Sequence, residues 1–113
     1  MPSKLPDKKE KGVRDFVLLN DITESAFLEN IQVRFMDDTI YTYIGDVIVC
    51  MNPYKNLNLY GKEYVDAYRG RYYYECPPHL FAVADDAYRD LSQRKRDQCV
   101  IISGEYSFFI FHL

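Results

Sequence analysis

Gln98-Cys99-Val100-Ile101-Ile102-Ser103-Gly104-Glu105 decides the fold. An apolar, β-branched run that breaks into Ser-Gly predicts a short buried strand running into a glycine turn. A phosphate-binding loop opens in this way, and its full pattern is G-x-x-x-x-G-K-[ST]. Counted from Gly104, Phe109, Ile110 and Phe111 stand where the second glycine, the lysine and the hydroxyl residue should. The strand that would present a phosphate cradle is predicted, and the cradle is not.

Working back from that strand, Leu80, Ala84, Ala87, Tyr88 and Leu91 recur at helical spacing behind Pro77-Pro78. The spacing predicts a helix with that apolar face. Arg94, Lys95 and Arg96 follow, where cations suit the negative end of the helix dipole. A shorter helix is predicted over Lys62–Arg69, with Tyr64, Val65 and Tyr68 inward and Gly70 as its stop. Ile40–Ile44 and Val47–Met51 are β-branched and aromatic around Gly45-Asp46, which predicts a hairpin at the edge of a covered sheet. Asn52-Pro53 ends it. Asp21 or Thr23 caps a helix that presents Phe27, Leu28, Ile31 and Phe35 and ends near Met36. Helix, hairpin, two helices and a buried strand is an α/β order.

The 113 residues allow one domain at most, and the 48% hydrophobic content argues against a disordered chain. A net charge of −3 disfavours nucleic acid as a partner. Residues 1–11 are polar and read as a disordered N-terminal arm, 12–105 as the globular part, and 106–113 as an uncharged hydrophobic tail out of character with the rest. The arm has no apolar stretch to serve as a secretory signal, and no run is long enough to span a membrane. Cys50, Cys76 and Cys99 lack metal-ligand spacing and read as buried free thiols, which suit a reducing cytosol. His79 at a helix start reads as a capping or partly buried structural residue. Asp85 and Asp86 are adjacent on a helix and do not face one another, so they do not read as an acid–base couple. No catalytic or metal-ligating residue is predicted.

Two groups of words carry a resemblance. One runs from Ile40-Tyr41-Thr42-Tyr43-Ile44-Gly45 through Asn52-Pro53-Tyr54-Lys55 to Tyr60-Gly61. The other joins Tyr68-Arg69-Gly70-Arg71, Pro77-Pro78-His79 and the closing strand to Gly104-Glu105. Their order and spacing resemble the N-terminal part of a myosin motor domain over about Gly12–Glu105. The few residues before Gly12-Val13-Arg14-Asp15-Phe16, with the Tyr-Arg-Gly-Arg and Pro-Pro-His wording, resemble class I, the single-headed unconventional myosins. The resemblance implies a partial P-loop NTPase-like motor core, an actin-activated ATPase that takes ATP with Mg²⁺, and a cytoplasmic, cytoskeleton-associated setting. It implies that Asn52, Pro53, Tyr54, Lys55 and Tyr60 border the adenine ring, and that Gly104 and Glu105 begin the phosphate loop. A tyrosine offers a flat apolar face and a hydroxyl to a purine edge, and an asparagine offers both donor and acceptor. From Tyr106 onward the family's Gly-Glu-Ser-Gly-Ala-Gly-Lys-Thr wording is lost. The chain thus reads as a motor piece truncated as the phosphate loop begins, inactive by itself, without the actin-binding, light-chain and membrane-binding regions. The alternative is a non-enzymatic isoform or fragment that acts by association, since half a central sheet leaves an edge and apolar faces uncovered.

Overall fold

A computed structural model describes Leu5, residues 9–105 and residues 108–112. After a 3-10 turn at Phe16–Leu18 come α1 (Glu24–Met36), β1 (Tyr41–Ile44), β2 (Val47–Met51), α2 (Lys62–Tyr68), α3 (Leu80–Ser92), β3 (Ile101–Glu105) and β4 (Phe108–His112). The chain is mixed helix and strand, with one antiparallel sheet in the order β1-β2-β4-β3.

Several elements begin or end for a local reason. Thr23 caps α1, its hydroxyl accepting the Ala26 N–H. The β1–β2 hairpin turns at Gly45-Asp46, where Gly45 takes φ 56°. Asp15 braces that turn by accepting the N–H groups of both Val17 and Gly45. Gly70, at φ 70°, stops α2. Arg94 pairs with Asp90 just beyond α3, and Lys95 leaves the helix at φ 55°.

Alternation along β1 sets the two sides of the core. Tyr41 and Tyr43, with Ile48 across the hairpin, face Leu80 and Val83 of α3 and Tyr73. Thr42 faces the other way and meets Arg34 of α1. A second cluster joins Ala67, Tyr68, Cys76 and Ala82 between α2 and α3, and Leu5 packs against it.

Arg34 is 0% exposed. Its Nε donates to the Thr42 hydroxyl at 2.8 Å and its Nη2 to the Tyr41 carbonyl at 2.9 Å, while Nη1 reaches the Lys11 carbonyl and the Glu10 carboxylate. Burial pulls the guanidinium pKa down, and the Glu10 carboxylate opposes this. Asn30, one turn earlier on α1, exchanges two hydrogen bonds with the Val13 backbone. Gly12 crosses so close that a Cβ there would lie 2.6 Å from Asn30 Oδ1.

Several expectations change. Glu10 and Lys11 belong to the folded part through Arg34, so the arm's boundary at 11 moves back; residues 1–4 and 6–8 lie outside the described residues. The face of α1 is not Phe27, Leu28, Ile31 and Phe35 throughout: Leu28 is exposed, and Asn30 and Arg34 are buried beside Ile31. The strand before Gly104 is not buried. It is an edge strand, with Ile101 and Ile102 more than half exposed, because its only partner among the described residues is β4. Ala84, Tyr88 and Leu91 on α3 are exposed, so that helix's apolar stripe lacks the cover its periodicity predicts. Cys76 is buried and Cys50 half-buried, but Cys99 is exposed. Residues 108–112 of the tail supply β4, which pairs along its whole length with β2 and β3.

Candidate functional site

β2 runs directly into the loop that holds most of the candidate residues. Asn52 Oδ1 accepts the Tyr54 N–H at 2.8 Å, and Asn56 Oδ1 accepts the Asn58 N–H at 2.9 Å, so two successive side-chain turns shape the loop. Tyr54 and Asn58 both take φ 53°. For asparagine that is ordinary, but for a tyrosine it is a strained conformation, reached here with its N–H bonded to the Asn52 side chain. Lys55 Nζ lies 2.7 Å from Asp38 Oδ1, with both side chains about half exposed, a pair that contributes at most about 1 kcal/mol. Pro53 and Lys55 border a cavity of about 230 Å³ with Phe35, Met36, Asp38 and Ile40. Leu57 and Leu59 pack onto the β1 core and pin the loop's far end.

Tyr60 stands at that end. Its phenol oxygen is 2.6 Å from that of Tyr41, and its ring meets His79 and Phe81 nearly at right angles, with centroids 5.5 and 6.0 Å away. Burial pushes the Tyr41 phenol pKa up, and the bond to Tyr60 adds to this. His79 caps α3: its Nδ1 accepts the Phe81 N–H at 2.9 Å. With Nδ1 accepting, the proton sits on Nε2, which donates to the Leu59 carbonyl at 2.9 Å. The neutral ring is packed among Tyr41, Tyr60, Tyr64, Tyr68 and Phe81. A cavity of about 390 Å³ opens beside this cage, with Arg14 and Glu75 among the charged groups that line it.

Burial lowers the His79 pKa from 6.5, and the bond to Leu59 only partly offsets this. The folded chain therefore binds this proton less readily than the unfolded one. The contribution to stability is present above the unfolded imidazole pKa and is lost as pH falls through the lower folded value. Urea midpoints are expected to fall between about pH 7 and pH 5, and His79→Asn, which keeps a capping oxygen, should flatten part of that slope. Equal slopes in the two chains would count against the assignment.

Gly104 and Glu105 lie in β3, opposite Phe109 and Phe108. β2 and β3 both run antiparallel to β4, so they run parallel to each other with β4 between them. Their carboxyl ends, carrying Asn52 and Glu105, emerge at the same end of the sheet, two strand spacings or about 10 Å apart. Strand pairing holds Gly104-Glu105 extended, whereas an anion cradle turns successive N–H groups toward one point. Asn52, Pro53, Tyr54, Lys55 and Tyr60 thus share one loop, and Gly104 and Glu105 sit one strand removed from it. Among the described residues no group of His, Cys, Asp and Glu is placed to hold a metal ion. Asp85 and Asp86 both pair with Arg89.

Sequence reasoning did not associate Tyr41 or His79 with Tyr60. The helix-start position of His79 did signal its capping role. Its link to residue 59 had no local signature.

Residues 13–107 match the family model described as "Myosin head (motor domain)". The chain is 58% identical over 101 residues to Myosin IE heavy chain of Dictyostelium discoideum. It is 52% identical over 98 residues to Unconventional myosin ID of Drosophila melanogaster, and 53% over 106 residues to Unconventional myosin-Ic of Mus musculus. These alignments cover 89%, 87% and 93% of this chain, and 10% of each relative. The chain therefore spans about a tenth of the length of the curated relatives it matches.

Proposed function

The chain belongs to the myosin motor-domain family, with class I relatives, and on that premise we propose that it is the adenine-side portion of an actin-based, ATP-driven motor and does not hydrolyse ATP by itself. Asn52, Pro53, Tyr54, Lys55 and Tyr60 supply the purine wall in this reading. Their common loop and the 55% exposure of Tyr60 support it. The residues fit a nucleoside better than a triphosphate. Phe109, Ile110 and Phe111 stand where a phosphate loop needs Gly, Lys and a hydroxyl. The observation that carries the proposal is that this same segment pairs with β2 and β3 as a strand. Gly104 and Glu105 are then remnants of a cradle rather than a cradle, with no lysine to neutralise phosphate charge and no hydroxyl for Mg²⁺. Actin, a cytoplasmic cytoskeletal setting, and any membrane or light-chain partner are properties proposed for the whole motor. No helix among the described residues is long and apolar enough to cross a membrane.

Titration with a fluorescent ATP analogue tests this. Binding weaker than ~1 mM is expected, since few contacts remain. The chain should stay in the supernatant when filamentous actin is sedimented. Micromolar, Mg²⁺-dependent binding would overturn the proposal.

The open edge of β3 and the uncovered stripe on α3 favour a second reading, a non-enzymatic piece that acts by association. Sedimentation velocity at rising concentration separates the two. A monomer throughout removes self-association from consideration.

A further inference from the structure

Tyr60 is 55% exposed, yet it is held from three sides. Its hydroxyl is tied to Tyr41, which is 2% exposed and fixed in β1. Its ring rests nearly perpendicular to His79 and Phe81 at the start of α3. The backbone just before it is clamped as well, because His79 Nε2 donates to the Leu59 carbonyl. A half-exposed tyrosine at the end of a loop would ordinarily sample several rotamers and lose that freedom when a ligand stacks on it. Here the ordering is completed by the protein beforehand, and more than half of the residue stays open.

We propose that Tyr41 and His79 are positioning residues that mount the Tyr60 ring as a fixed stacking wall for a purine base. Neither touches the base in this scheme; Tyr41 stays the hydroxyl and His79 clamps the loop backbone and flanks the ring. The proposal rests on the purine-wall reading above and adds what holds that wall in place. The recognised chemistry is a planar heteroaromatic base, so a nucleoside without phosphate suffices as ligand. A mount of this kind also separates the base contact from the phosphate contact, which this chain does not build.

The test uses the 113-residue chain with ring-labelled tyrosines and adenosine alone as the titrant, followed by NMR. In the unmodified chain adenosine should shift the Tyr60 ring resonances, and cytidine should do so less. Tyr41→Phe removes one oxygen and keeps the ring. It should raise the half-saturating adenosine concentration about three- to tenfold, the worth of one hydrogen bond, and change the Tyr60 ring-flip signature before any ligand is added. His79→Asn keeps a capping acceptor for α3 but loses both the clamp and the ring. It should give a similar rise with unchanged helical circular dichroism. Tyr68→Phe is the control: its hydroxyl donates to the Pro77 carbonyl at 2.7 Å and has no bond to Tyr60, yet its ring lies in the same aromatic cage. It should leave adenosine binding unchanged. An equal loss in Tyr68→Phe would mean general loosening of the cage and would overturn the mount. Unchanged binding in both Tyr41→Phe and His79→Asn would overturn it while leaving the purine wall standing. No response of Tyr60 to adenosine in the unmodified chain would overturn the purine wall, and the mount with it.

Discussion

Arg34→Leu is expected to cost about 3–4 kcal/mol of stability, a large share of the roughly 5–15 kcal/mol that holds a domain folded. The substituted leucine would fill part of the volume and add apolar contact. It would leave the buried Thr42 hydroxyl and Tyr41 carbonyl without their donor inside the joint between α1 and β1, and would free the more exposed Lys11 carbonyl to water. Each stranded buried group costs about 1–3 kcal/mol. Glu10, whose side chain is 15% exposed, would lose one of its two guanidinium partners and keep Arg14. Glu10→Gln makes the contrast, because it keeps an acceptor for the guanidinium and should cost no more than about 1.5 kcal/mol. Urea denaturation of the three chains measures both effects. If Arg34→Leu melts with the unmodified chain, the buried network is not what joins α1 to β1.

Ile110→Pro should be comparably damaging, for a reason that concerns backbone alone. Ile110 pairs with Val49 on one side and Ser103 on the other. Proline removes an N–H and cannot sit in a strand paired on both sides, at a cost of about 3 kcal/mol or more. The expected result is selective. Amide exchange should accelerate across β3 and on the side of β2 that faces β4, while the β1–β2 hairpin and the α2–α3 contact keep their protection. Exchange that is unchanged at Val49 and Ser103 would show that residues 108–112 are not the inner strand of this sheet.

The hairpin and helix limits were legible because their signals are local. Gly45-Asp46 marks the turn, Thr23 the start of α1, and Gly70 the stop after α2. The loop candidates were legible as words, Asn52-Pro53-Tyr54-Lys55 and Tyr60, through the family they resemble. What failed was context. Val100-Ile101-Ile102 reads as a strand covered on both faces, but apolar run length reports a preference for cover and not its presence. The same holds for Tyr88 and Leu91 on α3, whose period was read correctly and whose partner is missing from the described residues. Tyr106-Ser107 carries no hairpin chemistry, so nothing announced that the residues beyond would pair back onto β3 and then reach β2. Arg34 and Asn30 sit one turn apart beside Ile31, and a polar residue flanking an apolar stripe is ordinarily a surface residue. Their burial follows from the Glu10–Val13 segment passing over them, which no periodicity contains.

The placement of β4 sets an assembly order. β1 and β2 are joined by a tight turn, so their hydrogen bonds close in microseconds once both are present. β2 and β4 lie roughly sixty residues apart, and a contact of that span carries the loop-closure entropy of everything between. Among the described residues β3 borders only β4 in the sheet, so it docks with the late partner or not at all. A nascent chain therefore holds a finished hairpin with one raw side until residues 108–112 have been made. During that interval the side of β2 that later receives β4 is the site most open to a chaperone or to another extended segment.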